Sequence, residues 1–237
     1  MFQSHLEKLL KIYHTTPQEL VLCGDCPHQE IWRMSLFPAY KQHRHQPDIN
    51  PSIPHIFQHT FQSLLPSLQK QWNCCVLTVP CAEADDIVAS LHTWVRKTHP
   101  QEEVWIVASD NDYQQLWDSH THQIDFRGKP LVYKGTTEHC LQRKILMGDK
   151  SDNIPPVFPK CGPKTATNLI QDPLLWKEKK KDPAILERYN LNQQLIDFSY
   201  LPSDIRQQVV DQFIQQLPPS HKWRQPPQTN LSMWIVS

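Results

Sequence analysis

No apolar run in this 237-residue sequence approaches the length of a membrane-spanning helix, so no membrane partner is expected. The amino-terminal MFQSHLEKLLKIYH lacks the long apolar core of a secretory signal, and Glu7 with the want of arginine argues against a transit segment. A disulfide framework is excluded as well. The seven cysteines are odd in number, Cys74 and Cys75 are adjacent, and the set fits a reducing compartment. Cys23-Gly24-Asp25-Cys26 has C-x-x-C spacing, but there is no second pair and an acid sits inside it, which speaks against zinc or redox chemistry. Internal repeats are absent, and so is a Ser/His/Asp arrangement for nucleophilic catalysis. A soluble, cytoplasmic protein is expected.

Net charge is missing too, but only as a sum. Residues 1–120 carry eight Lys and Arg against 13 Asp and Glu, whereas residues 121–237 carry 16 against 11. An acidic half suits cations and a basic half suits a polyanion. The length is enough for a real core with a smaller appendage.

What is present is an alternation of short apolar strands and helical segments. SHLEKLLKIY (4–13) carries Leu6, Leu9, Leu10 and Tyr13 at helical spacing. LVLC (20–23), CCVLTV (74–79) and VWIVAS (104–109) read as strands of a mostly parallel sheet with crossover helices, DIVASLHTWV (86–95) among them. HQIDF (122–126) and LVY (131–133) read as a hairpin about RGKP. From Glu138 onward the pattern is helical and broken by proline, with no strand expected before the end, and PPSHKWRQPPQ (218–228) reads as a linker or tail.

In open α/β sheets chemistry sits beyond the carboxyl ends of the strands, and the acidic residues fall there. Asp25 closes the first strand, Glu83, Asp85 and Asp86 follow the second, and Asp110 and Asp112 follow the third. Asp149 and Asp152 follow the helix at 138–147. Each group has a plainer reading as a helix cap or turn. Eight carboxylates at one end of a sheet would nevertheless repel one another unless cations share them, and such oxygen ligands suit Mg²⁺ or Mn²⁺.

The ordered motifs EADDI, SDND, GDKSDNIP and GPKTA, with WRMSLFPAYKQHR (32–44), resemble the flap endonuclease and 5′–3′ exonuclease family, including the 5′-nuclease domain of bacterial DNA polymerase I and its phage relatives. The likeness runs from about Leu20 to Phe213. It implies an α/β, PIN-like 5′-nuclease fold with a mostly parallel central sheet, a helical arch and an α-helical helix–three-turn–helix subdomain. The corresponding boundaries are 1–145 for the catalytic domain, 146–217 for the helical subdomain and 218–237 for a tail. The implied activity is two-metal hydrolysis of DNA phosphodiester bonds at 5′ ends or flaps, with RNA–DNA hybrids as a further substrate, in replication or repair. A monomer that meets replication proteins is expected.

The resemblance assigns Asp25, Glu83, Asp85 and Asp86 to a first Mg²⁺ or Mn²⁺, and Asp110, Asp112, Asp149 and Asp152 to a second. Lys41 and Arg44, three apart on YKQHR, would contact the phosphate to be cut, with Arg33 and Tyr40 also at the nucleic acid. Gly162, Lys164 and Thr165 at a helix start would hold a DNA phosphate. The plainer alternative for YKQHR is a solvated basic helix, and for KEKKKD (177–182) an exposed loop. His55 and His59 read as surface residues of the arch.

Two departures from the family stand out. Its hairpin, close to IPGVPGIGPKTA, here reads IPPVFPKCGPKTA, which puts the family's potassium ion in doubt. The family also begins with a strand bearing a metal-ligating aspartate, whereas here no aspartate precedes Asp25. Either the start lies further upstream, or a split gene supplies that strand, or the ligand is lost, in which case a central strand is expected to be missing too. That favours a rival reading, a noncatalytic nucleic-acid-binding relative, while the retained acids favour the enzyme. An RNA-cutting PIN nuclease is a third reading.

Overall fold

The computed structural model describes residues 2–45, 59–132, 135–219, 221–224 and 232–237. Residues 46–58, where the arch and His55 are expected, lie outside them. Two compact units divide the chain: residues 1–30, 50–133 and 202–237 form the first, and residues 31–49 and 134–201 the second. Among the described residues no helix is long and apolar enough to cross a membrane.

The first unit is built on five strands: β1 (Leu20–Gly24), β2 (Cys75–Thr78), β3 (Glu103–Val107), β4 (Thr121–Ile124) and β5 (Ser232–Val236). They lie in the order β2-β1-β5-β3-β4 and every pairing is parallel. Parallel strands are covered on both faces, which is why they read as short continuous apolar runs. Helix α1 (Phe2–Ile12) buries Leu6, Leu9 and Leu10 in a cluster with Leu20, Leu22, Val107, Trp234 and Val236. Each such burial contributes about 1.5–3 kcal/mol of transfer free energy. A short helix, α2 (Arg33–Leu36), belongs to the second unit. α3 (Leu65–Trp72) adds Leu65, Leu68 and Trp72 to the same core as α1. α4 (Ala84–Thr98) buries Ile87, Val88, Leu91 and Val95.

The central strand expected to be missing is present, and it comes from the far end of the chain. β5 pairs Trp234 with Leu20 on one side and with Trp105 on the other. Residues 221–224 and 232–237, expected in a tail, are packed into the first unit: Trp223 is buried beside Trp94 and His99, at ring-centroid distances of 6.0 and 5.1 Å, and β5 completes the sheet. Trp234 also stacks on Trp105 at 4.8 Å, and Tyr13 packs on both rings. The expected 122–133 hairpin is, among the described residues, a single antiparallel bridge, Ile124 with Pro130, at the free side of the edge strand β4, whose other side pairs with β3.

The second unit is helical: α2, α5 (Thr137–Met147), α6 (Pro163–Gln171), α7 (Pro173–Lys179) and α8 (Pro183–Ile196). Proline occupies the first position of α6, α7 and α8, where its missing N–H is no loss. Asp172 and Asp182 cap the last two, accepting from Leu174, Leu175 and Ala184 amides at 2.9–3.1 Å. Leu146, Val157, Cys161, Ala166 and Leu169 form its core. Fully buried Asn192 ties α8 to the chain around it, donating to Ile145 O and Pro155 O at 3.0 and 2.8 Å. The expected boundary at 145/146 is not where these units part, since 31–49 joins the helices. Residues 202–217 join the sheet, where α9 (Ser203–Gln216) sets Phe213 against Trp94 at 5.5 Å.

Candidate metal centre and nucleic-acid interface

Because all strands of the first unit are parallel, their carboxyl ends lie at one edge of the sheet. Asp25 follows β1, Glu83 precedes α4 after β2, and Asp110 follows β3. Gly24 lets Phe61 close over the end of β1, since a Cβ there would come within 2.3 Å of the Phe61 ring.

At the start of α4 one oxygen each of Glu83, Asp85 and Asp86 lies within 4.8 Å of the others. Glu83 is 3% exposed and Asp86 fully buried. The helix start accounts for part of this arrangement: Asp86 Oδ2 accepts from Glu83 N at 3.1 Å, and Asp85 Oδ1 from Asp86 N at 2.9 Å. Asp25 is drawn to the same place, its Oδ1 accepting from Ala84 N at 2.7 Å. Amide donors relieve one oxygen per group but do not cancel three adjacent charges, two of them buried. Hard oxygen donors so placed fit an ion of the Mg²⁺ or Mn²⁺ kind.

Asp110 caps the turn after β3, accepting from Asp112 N at 2.9 Å. Tyr113, 1% exposed, follows in that turn and donates its hydroxyl to Ser237 Oγ at 2.5 Å. Burial raises the tyrosine well above its ordinary pKa, and the charges of Asp85 and Asp110 add to the effect.

In the second unit Asp149 and Asp152 stand on a tight turn. Gly148 has φ +68°, and a Cβ there would sit 2.3 Å from Ile154 O, so the position admits only glycine. The turn closes through Asp149 N to Ile154 O and Ile154 N to Asp149 O, at 2.9 and 2.7 Å. Lys144 Nζ lies 2.7 Å from Asp149 Oδ2, and Ser151 donates twice to Oδ1. Burial opposes the Asp149 charge, but Lys144 and then Ser151 outweigh it and hold the carboxyl below its usual range. Asp152 accepts from the Tyr40 hydroxyl at 3.2 Å and has Lys41 Nζ at 3.7 Å.

Several expected contacts differ. Arg33 is 2% exposed and donates from Nε to Leu195 O at 2.8 Å, so it ties α2 to α8 instead of facing nucleic acid. Tyr40 is 1% exposed and serves Asp152. Lys41 does not share a helix face with Arg44: its φ is +52°, and the 3₁₀ helix begins after it at Gln42. The Arg44 side chain lies outside the described residues. In KEKKKD, Lys177 to Lys179 end α7 and all but Lys180 are exposed, with Lys180 over the Trp176 ring at 5.3 Å and Lys179 over Phe158 at 5.5 Å. At the start of α6, Gly162 places no side chain over the end, nothing lies within 4 Å of its Cβ position, and Lys164 is exposed.

Sequence reasoning missed Lys144, Tyr113 and Ser237. Tyr113 stands three residues after Asp110, a local cue, but no local signal brings Ser237 to it across 124 positions.

Comparison with known proteins gives the same direction. Residues 1–145 match the model of the 5′–3′ exonuclease N-terminal resolvase-like domain. The chain is 33% identical over 173 residues to flap endonuclease Xni of Shewanella oneidensis, covering 69% of this chain and 60% of that protein. It is 31% identical over 177 residues to a 5′–3′ exonuclease of Buchnera aphidicola, covering 70% and 56%. The chain therefore spans less than two thirds of the length of either relative. Among solved structures, the T5 D15 protein co-crystallised with metal ions superposes with a TM-score of 0.70 at 20% identity, covering 91% of both chains, which shows a shared fold. With the sheet, the helical unit and the ordered acidic motifs in place, the chain belongs to the 5′–3′ exonuclease N-terminal resolvase-like family.

Proposed function

We propose that this chain is a divalent-metal-dependent nuclease that hydrolyses phosphodiester bonds of DNA at a 5′ end or flap, with RNA paired to DNA as a further substrate. The observation that carries this reading is the convergence of Glu83, Asp85 and Asp86 beside Asp25 at the start of α4, in a chain of this family. Asp25, Glu83, Asp85 and Asp86 are assigned to a first Mg²⁺ or Mn²⁺, and Asp110, Asp112, Asp149 and Asp152 to a second. Such ions, when bound, supply Lewis acidity toward a phosphate and a more acidic water.

The protein's own part is placement and charge. Tyr40 and Lys41 fix Asp152, and Lys144 with Ser151 fixes Asp149. Lys41 and Arg44 are assigned to the phosphate to be cut, opposing the charge that grows there. Gly162 leaves the start of α6 open to a backbone phosphate, with Lys164 and Thr165 beside it, a contact that positions DNA without reading sequence.

A relative that binds nucleic acid without cutting it is the second reading. The lysine partners of Asp149 and Asp152 favour it, because they neutralise carboxylates that an ion would otherwise use. A 5′-labelled flap duplex, incubated with and without Mg²⁺ beside the Asp110→Asn variant, separates the two. Metal-dependent cutting that Asp110→Asn abolishes is the expected result. Flap binding without cutting, in Mg²⁺ or Mn²⁺, would overturn it in favour of the second reading.

A further inference from the structure

The central strand β5 ends at Val236, and its register determines where the next residue, Ser237, goes. Val236 pairs with Leu22 on one side and Val107 on the other, so the next residue enters between the turns leading to Asp25 and to Asp110. Ser237 N continues the ladder to Val107 O at 3.5 Å, and Ser237 Oγ accepts from Tyr113 at 2.5 Å. Tyr113 is 1% exposed, and both Asp85 and Asp110 act on its hydroxyl through their charge. The hydrogen bond thus joins the turn after β3 to the residue that follows β5, with the charge of Asp85 at the start of α4 acting on the Tyr113 hydroxyl. Neither Tyr113 nor Ser237 is among the assigned metal ligands.

We propose that the Tyr113–Ser237 hydrogen bond is a positioning contact for the divalent-ion site of the first unit, so that seating of β5 and binding of the ion reinforce each other. The proposal rests on the metal-dependent reading above. Its physical basis is the place of β5, the shared partner of β1 and β3. Among the described residues, β5 is the strand that joins β1, which delivers Asp25, to β3, which delivers Asp110. A contact at its carboxyl tip restrains the Asp110 turn directly and the Asp25 turn through the pairing with β1, and ordering those turns before an ion arrives lowers the entropy cost of binding it. By linkage, the ion then holds the strand as firmly as the strand helps the ion.

The test is calorimetric titration of Mn²⁺ into the full chain, with thermal melts in its presence and absence, for wild type, Tyr113→Phe, Ser237→Ala and Ser237→Thr. Tyr113→Phe keeps the buried ring, and Ser237→Ala acts at a strand end, so both variants are expected to fold. Each is expected to weaken Mn²⁺ binding roughly five-fold, the factor for one hydrogen bond of ordinary net strength. A fifth protein that combines Tyr113→Phe with Ser237→Ala should lose no more than either single variant, because both remove the same contact. Ser237→Thr keeps the hydroxyl and should bind as wild type. Wild-type isotherms for cooperatively folded Tyr113→Phe and Ser237→Ala would overturn the proposal. A wild-type chain that binds no Mn²⁺ would instead overturn the metal-dependent reading beneath it.

Discussion

Lys222 Nζ lies 2.7 Å from Glu19 Oε1, so the segment leading back to β5 is ion-paired to the turn that opens β1. Thr15 and Thr16 also donate to Glu19 at 2.7 and 2.9 Å. Burial opposes the Glu19 charge, but Lys222 and the threonine donors prevail and lower its pKa from 4.5 to about 2. A carboxylate held below its unfolded value contributes stability that is complete above that value and is lost as pH falls through the folded one. Wild type should therefore melt above Glu19→Gln at neutral pH, and the difference should shrink between pH 4.5 and about 2. Melting curves of both proteins across that range check it.

Gly148→Ala should destabilise the second unit by more than about 1 kcal/mol, because alanine meets both a positive φ and the carbonyl of Ile154. A shift in urea midpoint measures it. An unchanged midpoint would contradict the tight turn that presents Asp149.

Arg33 and Lys164 should behave oppositely. Arg33→Gln removes a buried donor from Leu195 O and should cost about 1–3 kcal/mol of stability, with no change in the salt dependence of DNA binding. Lys164→Gln should leave stability unchanged and lower the slope of log affinity against log salt by about 1. Denaturant unfolding and salt-titrated binding, made on both variants, distinguish a structural arginine from a phosphate-binding lysine.

Lys144→Met should lower stability at neutral pH, since it leaves a partly buried Asp149 without its cation. Asp149 is held below its ordinary value of 3.8, so the lysine's contribution is present above that pH and fades below it. Divalent ion should restore more stability to this variant than to wild type. Thermal shift with and without Mn²⁺ gives the comparison.

The sequence by itself determined the local elements and the chemistry of the site. LVLC, CCVLTV and VWIVAS are apolar and rich in β-branched residues between turn signals, and they became β1, β2 and β3. GPKTA marked the start of α6, and the acids at the strand ends were visible as a pattern. Only the tertiary structure decided the middle of the sheet. SMWIV is too short for its period to declare a strand, and its partners lie in β1 and β3, far away along the chain. The same distance hid the role of Ser237. Arg33 was misplaced for a related reason: a positive charge in a motif signals nucleic acid, but whether it is instead buried on a carbonyl depends on what folding packs around it. Residue type sets which interactions a side chain can make, and packing selects among them.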